Sequence, residues 1–166
     1  DQGITWTQLT NTSTLRSCTK ILCDAAGNVY VSTLGVGPDV ALLRSSNGGI
    51  SWVNINPFAA VGVTQTSRIP DFEISSTGRM HVIGGFTDNP SAATPVWQSA
   101  TTMFTWPFGN EARTELTTVG NIIYASLGQP ASGTAGGKIE KVASSIDGGI
   151  NWITVDLTAT NINDLN

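Results

Sequence analysis

The sequence predicts an all-β chain built from a repeated unit. Four of its tryptophans, Trp6, Trp52, Trp106 and Trp152, lie 46, 54 and 46 residues apart, and a period of this length is typical of repeat architectures. Short runs rich in β-branched residues alternate with Gly, Asn and Pro, which is the pattern of strands joined by turns. No segment shows sustained apolar spacing at three and four residues, so almost no helix is expected.

Each of these tryptophans closes a version of one short turn. An Asp or Asn side chain in the turn accepts hydrogen bonds from backbone N–H groups just ahead of it, and a Gly two residues later adopts a positive φ. The indole is expected to anchor the next strand in the core. The third copy, residues 99–106, has lost both the Asp and the Gly. The residues expected to form these turns are Asp1, Gly3 and Trp6; Asn47, Gly49 and Trp52; Trp106; and Asp147, Gly149 and Trp152.

Between these turns the sequence predicts three units of four strands, in which the turn joins the third strand to the fourth. Strands are predicted at 19–24, 29–33, 40–44 and 52–55; at 69–75, 80–83, 96–98 and 105–106; and at 115–118, 122–125, 138–143 and 152–155. Gly-containing turns separate the first two strands of each unit. The connections 34–39, 85–91 and 128–137 are expected to join second to third strands and to gather on one side, where loops carry function.

The turn pattern resembles the Asp-box, or BNR, repeat (Ser-x-Asp-x-Gly-x-Thr-Trp) of sialidases and other secreted β-propellers. This resemblance covers essentially the whole chain and implies about three four-stranded blades of a partial β-propeller, with Asp-box turns between third and fourth strands. Residues 1–17 would be the outer strand of a preceding blade and a linker, 18–56, 67–108 and 112–157 three blades, and 158–166 the start of another unit. Propellers close with four to eight blades. The chain is therefore expected to be a piece of a longer protein, or else to pair with a second chain in a six-bladed ring.

Residues 67–70, Ser-Arg-Ile-Pro, are similar to the Phe/Tyr-Arg-Ile-Pro motif of sialidases. The resemblance implies that Arg68 binds a substrate carboxylate, because a guanidinium offers a planar fork to that group. It also implies Asp88 as acid/base and Arg113 as a further arginine. The sequence departs from the family where Ser67 replaces the aromatic residue and where 84–88 lacks the second arginine.

Arg68 also fits a second interpretation, that of a solvated or salt-bridged residue at the entry to a strand. Neither Tyr30 nor Tyr124 is a convincing nucleophile, since both are expected in the core or at the rim. Alternation places Asp71, Glu73 and Ser75 on one face of an inner strand, with Phe72 and Ile74 on the other. Two carboxylates on one face are used by glycosidases, but they also occur in a solvated tunnel lining.

Composition narrows the function classes. Only 12% of the residues are charged and the net charge is −4, which argues against nucleic-acid or anionic-membrane partners because these need a basic face. The apolar content of 40% is enough for a core. A polar set dominated by Thr, Ser, Gly and Asn favours a secreted or cell-surface protein. No apolar run is long enough to cross a membrane. The sequence does not open on a signal peptide, as expected if its N-terminal part is missing.

The cysteines and the single histidine do not predict a metal site. Cys18 and Cys23 would lie about 16 Å apart on an extended strand, too far for a disulfide, so buried free thiols are expected. His81 lies in another unit, is expected at the surface or on the channel side, and completes no tetrahedral set. We expect no metal and no cofactor.

These observations favour a non-catalytic recognition or scaffold module that binds glycan or protein on the propeller face. The alternative is a glycoside hydrolase, either a sialidase-type exo-enzyme or a xyloglucanase-like one. The sialidase alternative requires Arg68, Arg113 and Asp88 to converge within about 12 Å, because catalysis needs proximity. The predicted partners are a glycan, another protein, the remainder of a longer chain or a second copy, without nucleic acid and without membrane insertion. Trp97 is the only large aromatic residue near the candidate loops.

Overall fold

A computed structural model describes residues 4–7, 18–33, 42–56, 69, 71–82, 85–99, 114–128 and 139–157. Over these ranges the chain forms twelve β-strands and no helix, so the all-β prediction is confirmed there. Accordingly, the described part of the chain contains no helix with the length and apolarity needed to span a membrane.

The strands form three four-stranded antiparallel sheets, and the strands of each sheet lie in chain order. Sheet 1 contains β1 (Cys18–Cys23), β2 (Val29–Thr33), β3 (Leu42–Ser45) and β4 (Val53–Asn54). Sheet 2 contains β5 (Phe72–Ile74), β6 (Met80–Val82), β7 (Gly85–Thr87) and β8 (Gln98–Ser99). Sheet 3 contains β9 (Thr114–Val119), β10 (Ile122–Gly128), β11 (Ile139–Ser145) and β12 (Ile153–Asp156).

The turns between first and second strands follow from local chemistry. In sheet 1 the Asp24 carboxylate accepts the N–H groups of Ala26 and Asn28, both at 2.9 Å, and Gly27 has a φ of 84°. In sheet 3 only Gly120 and Asn121 separate the paired ends of β9 and β10. The φ of 62° at Gly120 is the left-handed conformation that a two-residue hairpin turn requires.

In sheet 2 the third and fourth strands lie at other positions than predicted. Its third strand is β7, in a segment predicted as a loop, and residues 96–98, predicted as the third strand, lead into the fourth, β8. The predicted fourth strand at 105–106 lies outside the described residues. Two glycines before Phe86 favoured a loop, but Phe86 is buried and stabilises the short strand by packing. The connection 85–91 therefore does not join second and third strands as predicted.

The main core lies between sheets 1 and 2. From sheet 1 and the residue that follows β4, it contains Tyr30, Leu42 and Ile55. From sheet 2 and the segments next to it, it contains Ile69, Phe72, Met80, Val82 and Trp97. Each large apolar side chain buried in this way contributes about 1.5–3 kcal/mol to folding. The polar ends of the aromatics are satisfied, since the Tyr30 hydroxyl donates to Asp24 at 2.9 Å and the Trp97 indole donates to the Ile55 carbonyl at 3.0 Å. A smaller cluster in sheet 3 comprises Leu116, Ala125 and Ala143, with Trp152 packed against it.

Sheet 2 lies between the other two sheets. The first strands are neighbours, since β5 contacts both β1 and β9. The Thr19 hydroxyl donates to the Ile69 carbonyl at 3.2 Å on one side, and Arg79 donates to the Gly148 carbonyl at 2.6 Å on the other. The described chain is thus a row of three sheets whose first strands lie side by side, and none of these sheets is closed.

Candidate functional site

Residues 45–52 form a hydrogen-bonded turn between β3 and β4. The Ser45 hydroxyl donates to the Asn47 side-chain oxygen at 2.9 Å and accepts the Gly49 N–H at 2.8 Å. The same Asn47 oxygen accepts the Ser51 N–H at 2.9 Å. Gly48 and Gly49 have φ values of 70° and 89°, a region that glycine enters without steric cost.

Residues 145–152 repeat this turn between β11 and β12. The Ser145 hydroxyl donates to Asp147 at 2.8 Å, and Asp147 accepts the N–H groups of Ile150 and Asn151 at 3.1 and 2.9 Å. The Asn151 side chain donates to the second carboxylate oxygen at 2.7 Å. These bonds, led by that of the Asn151 N–H, lower the pKa of Asp147 to about 2. In both turns the polar side chains bond to other residues of the same turn. Each turn thereby holds the third and fourth strands of its sheet together.

Replacing Asp147 with asparagine and Asn151 with serine is expected to remove an acid-dependent part of the stability. The carboxylate is stabilised only when ionised, so its contribution is present above its ordinary pKa of 3.8 and is lost as the pH falls through about 2. We expect the thermal midpoint of the wild type to fall between pH 4 and pH 2 more steeply than that of the double variant Asp147→Asn, Asn151→Ser. This double variant copies Asn47 and Ser51, which do not titrate. If the thermal midpoints of the two proteins fell equally steeply with pH, the lowered pKa of Asp147 would be contradicted.

The tryptophans of the repeat differ in burial. Trp152 is half-buried, and its indole donates to the Gly149 carbonyl at 3.0 Å. Trp52 is also half-buried. Trp6 is 89% exposed, so the expectation that it anchors a strand in the core is wrong. Asp1, Gly3 and Trp106 lie outside the described residues.

Sheet 2 carries its third-to-fourth connection at residues 88–97, before the predicted third copy of the turn. Asn89 donates its N–H to the Thr87 hydroxyl at 3.4 Å and accepts from the Ser91 hydroxyl at 2.8 Å. Trp97 stands directly before β8, as Trp52 stands before β4. The predicted third copy at 99–106 did not include this connection, which carries Pro90 and is three residues longer than the corresponding connections of sheets 1 and 3. A tryptophan one residue before a short strand is the feature that it shares with them.

Of the three candidate catalytic residues, the described part of the chain includes only Asp88. Arg68 and Arg113 lie outside it, so the predicted convergence of the three stays a prediction. Asp88 follows β7, and its side chain is 56% exposed. Its carboxylate accepts from Arg79 Nε at 2.5 Å and from the Gln98 amide at 3.4 Å. Asp88 therefore forms a surface ion pair.

A charged cluster that the sequence did not reveal joins the first strands of the three sheets. Asp71 is 2% exposed, and its carboxylate accepts the Leu116 N–H of β9 at 2.6 Å and the Phe72 N–H at 2.9 Å. Lys20 of β1 lies 2.7 Å from the same carboxylate and also donates to Glu73. Asp71 thus connects β1 and β9 across β5.

The electrostatics of this cluster favour the charged form of Lys20. Burial by itself would lower the pKa of the Lys20 ammonium, but the hydrogen bonds and charges of Asp71 and Glu73 outweigh it and raise that pKa. Glu73 is half-buried and lies on β5, two residues from Asp71. Alternation predicted that the two carboxylates share one face, and Lys20 contacts both. The carboxylate pair is held by a lysine and by backbone, an arrangement suited to fixing strand positions.

His81 is buried between sheets 2 and 3. It is 2% exposed, so the prediction of a surface or channel-side position is wrong. The Phe86 ring centroid lies 6.3 Å away, and no described residue provides a hydrogen-bond partner for Nε2. Burial, followed by the charge of Arg79, lowers the pKa of His81 to about 4, against a smaller raising effect of Asp88. The ring is therefore held neutral.

The remaining candidates give mixed outcomes. Cys18 and Cys23 are not joined by a disulfide, and both are exposed, so the expectation that they are buried is wrong. Tyr30 is fully buried and Tyr124 is 42% exposed. The described residues contain no group of three His, Cys, Asp or Glu side chains placed to hold a metal ion.

None of the protein-family models, curated proteins or solved structures compared with this chain matches it.

Proposed function

We propose that this chain is a recognition or scaffold module with the architecture of an Asp-box β-propeller, and that it binds a glycan or protein partner outside the cell. The observation that carries the proposal is that two of its described carboxylates, Asp71 and Asp88, are bonded to other residues of the chain. Asp71 is buried and holds Leu116 and Lys20, and Asp88 is paired with Arg79. Because a general acid or base must be free to reach a substrate proton, these carboxylates suit a structural role.

The arrangement of the sheets supports the propeller architecture. Each sheet has four antiparallel strands in chain order, and the first strands lie next to one another. In sheets 1 and 3 a hydrogen-bonded turn of the Asp-box type joins the third strand to the fourth. Blades arranged around an axis would place their strands in this way. The low content of charged residues, 12%, supports an extracellular setting.

The experiment that tests this proposal measures hydrolysis and binding in parallel. Purified chain is incubated with a fluorogenic sialoside and with xyloglucan, beside Asp88→Asn and Arg68→Ala variants, and labelled chain is applied to an array of glycans. We expect no hydrolysis above a heat-denatured sample, together with glycan binding that Asp88→Asn leaves intact. Sialoside hydrolysis that falls by about 10²-fold or more in Asp88→Asn, the range for a lost general acid, would replace the proposal by the glycosidase alternative.

A further inference from the structure

Sheets 2 and 3 are joined mainly by polar contacts in the described part of the chain. At the first strands, Asp71 accepts the Leu116 N–H at 2.6 Å. At the turn 145–152, Arg79 donates to the Gly148 carbonyl at 2.6 Å. The two buried apolar clusters of the described residues lie elsewhere, one between sheets 1 and 2 and one within sheet 3. Because apolar burial is the dominant favourable term in packing, sheet 3 is held to sheet 2 less strongly than sheet 1 is.

His81 lies next to the turn of sheet 3. A Cβ atom added at Gly149 would lie 3.0 Å from His81 Nδ1 and 3.3 Å from Ile123 Cδ1, so the ring, the Gly149 backbone and the Ile123 side chain meet between the sheets. His81 is 2% exposed and Ile123 is 0% exposed. No described residue forms a hydrogen bond with Nε2 of the ring. The contact therefore encloses a neutral imidazole and provides no acceptor for a proton at Nε2.

The described charged groups around His81 do not compensate a charge on the ring. Burial and then the Arg79 charge lower the pKa of His81, and Asp88, itself ion-paired with Arg79, raises it by less. The carboxylates on the other packed elements are also bonded: Asp71 and Glu73 to Lys20, and Asp147 within its own turn. On sheet 3, strand register places Lys141 and Asp156 at the end of the strands away from the turn. A proton on the ring would therefore remain without a free carboxylate partner among these groups.

We propose that acid opens the contact between sheets 2 and 3: protonation of His81 separates the turn 145–152 and its strands from sheet 2, while sheets 1 and 2 stay packed on each other. An imidazolium enclosed there would be a second cation beside Arg79, and burying it without a partner is costly. When the contact opens, water solvates the ring. The core between sheets 1 and 2 includes no histidine and no carboxylate, so protonation of the ring does not disturb it directly. With Asp71 still bonded to Leu116, the first strands act as the hinge.

The size of the effect follows from the protonation of the ring in the two forms. The pKa of His81 is about 4 in the closed form, against the ordinary value of 6.5 in water. Above pH 6.5 the ring is neutral in both forms and the contact stays closed. As the pH falls below 6.5, the opened form binds a proton that the closed form does not, so the ratio of opened to closed chains should rise roughly 100-fold by pH 4. This opening goes beyond the proposed recognition function and needs no glycan, so the hydrolysis and glycan-binding results leave it unaffected.

Labelling of a buried thiol tests the opening. Ile123→Cys places a thiol in the contact between sheets 2 and 3, and Leu42→Cys places one in the main core, both at positions that are 0% exposed. Each is made together with Cys18→Ser and Cys23→Ser, because the native thiols are exposed. Rates with an aromatic disulfide reagent that reacts in acid are divided by those of a small thiol at the same pH. We expect the Ile123→Cys rate to rise roughly 100-fold between pH 7 and pH 4, and this rise to disappear in His81→Leu.

The same two thiols distinguish this opening from unfolding of the whole chain. Local opening requires less free energy than global unfolding, so at pH 4 the Ile123→Cys thiol should react at least roughly tenfold faster than the Leu42→Cys thiol. Low urea concentrations should accelerate the Leu42→Cys reaction alone, because sensitivity to urea scales with the surface exposed. Equal rates for the two thiols at pH 4 would overturn the proposal. An Ile123→Cys rate that is the same at both pH values would also overturn it, as would a rise that persists in His81→Leu.

A pair of glycine variants tests the contact without acid. Gly148 and Gly48 occupy the same position of the two turns and have φ values of 74° and 70°, so alanine is strained equally at both. A Cβ atom at Gly148 would lie 2.7 Å from Arg79 Nη1, whereas one at Gly48 meets no described atom within 4 Å. In the Ile123→Cys chain at pH 7, we expect Gly148→Ala to raise the labelling rate and Gly48→Ala to leave it unchanged. Equal rates would show that the turn does not close the contact, and circular dichroism verifies that each variant folds.

Discussion

Replacing Asp71 with alanine is expected to cost about 3–5 kcal/mol of unfolding free energy, the range for removing one partner of a buried ion pair. The variant would leave the Leu116 N–H without its acceptor and would leave Lys20 with Glu73 alone. An unsatisfied buried N–H by itself costs about 1–3 kcal/mol. Because Asp71 connects β1 and β9 across β5, the loss should appear as a lower denaturant midpoint of the whole described array. Urea unfolding followed by tryptophan fluorescence measures it.

Asp88→Asn is the control for this experiment. Asp88 also pairs with a cation, Arg79, but its side chain is 56% exposed, and exposed pairs contribute about 0–1 kcal/mol. Asp71→Asn should fall between the two, since an amide oxygen can still accept the Leu116 N–H while the charge opposite Lys20 is lost. Equal losses for Asp71→Ala and Asp88→Asn would show that the Asp71 contacts do not hold the sheets together.

Local sequence signals predicted the strands where turn chemistry is strong. Asp24 with Gly27, and Gly120 with Asn121, set off β2 and β10 at the predicted starts, because these residues specify the backbone by themselves. β7 was missed because its stability comes from burial of Phe86 against other elements. Tertiary packing of this kind overrides local propensity, and it leaves no periodic signal in a three-residue strand.

The candidate site was harder to predict than the strands. Alternation correctly placed Asp71 and Glu73 on one side of the chain, since Lys20 contacts both. Nothing in the local pattern indicated that Lys20, 51 residues before Asp71, would reach them. His81 shows the same limit, since alternation with Val82 suggested solvent on one side of β6. In the structure both faces of sheet 2 are covered, one by sheet 1 and the other by sheet 3.

Lowering the pH from 6.5 to about 4 is expected to remove about 3 kcal/mol of stability through His81. The ring is neutral in the folded chain because burial and the Arg79 charge lower its pKa from 6.5 to about 4. Above pH 6.5 the imidazole is neutral in both states and the stability is unaffected. Between these two pKa values the unfolded chain binds a proton that the folded chain does not, so unfolding becomes more favourable as the pH falls. The difference between the pKa values sets the size of the loss.

His81→Leu separates this effect from the titration of carboxylates. His81 is the only histidine in the chain, so the variant should lose the slope of unfolding free energy against pH between 6.5 and 4.5. The slope below pH 4, where Asp147 contributes, should stay. Asp88→Asn is expected to move the histidine transition to lower pH, because the Asp88 charge raises the His81 pKa. If His81→Leu keeps the wild-type slope above pH 4.5, the imidazole is not held neutral between sheets 2 and 3.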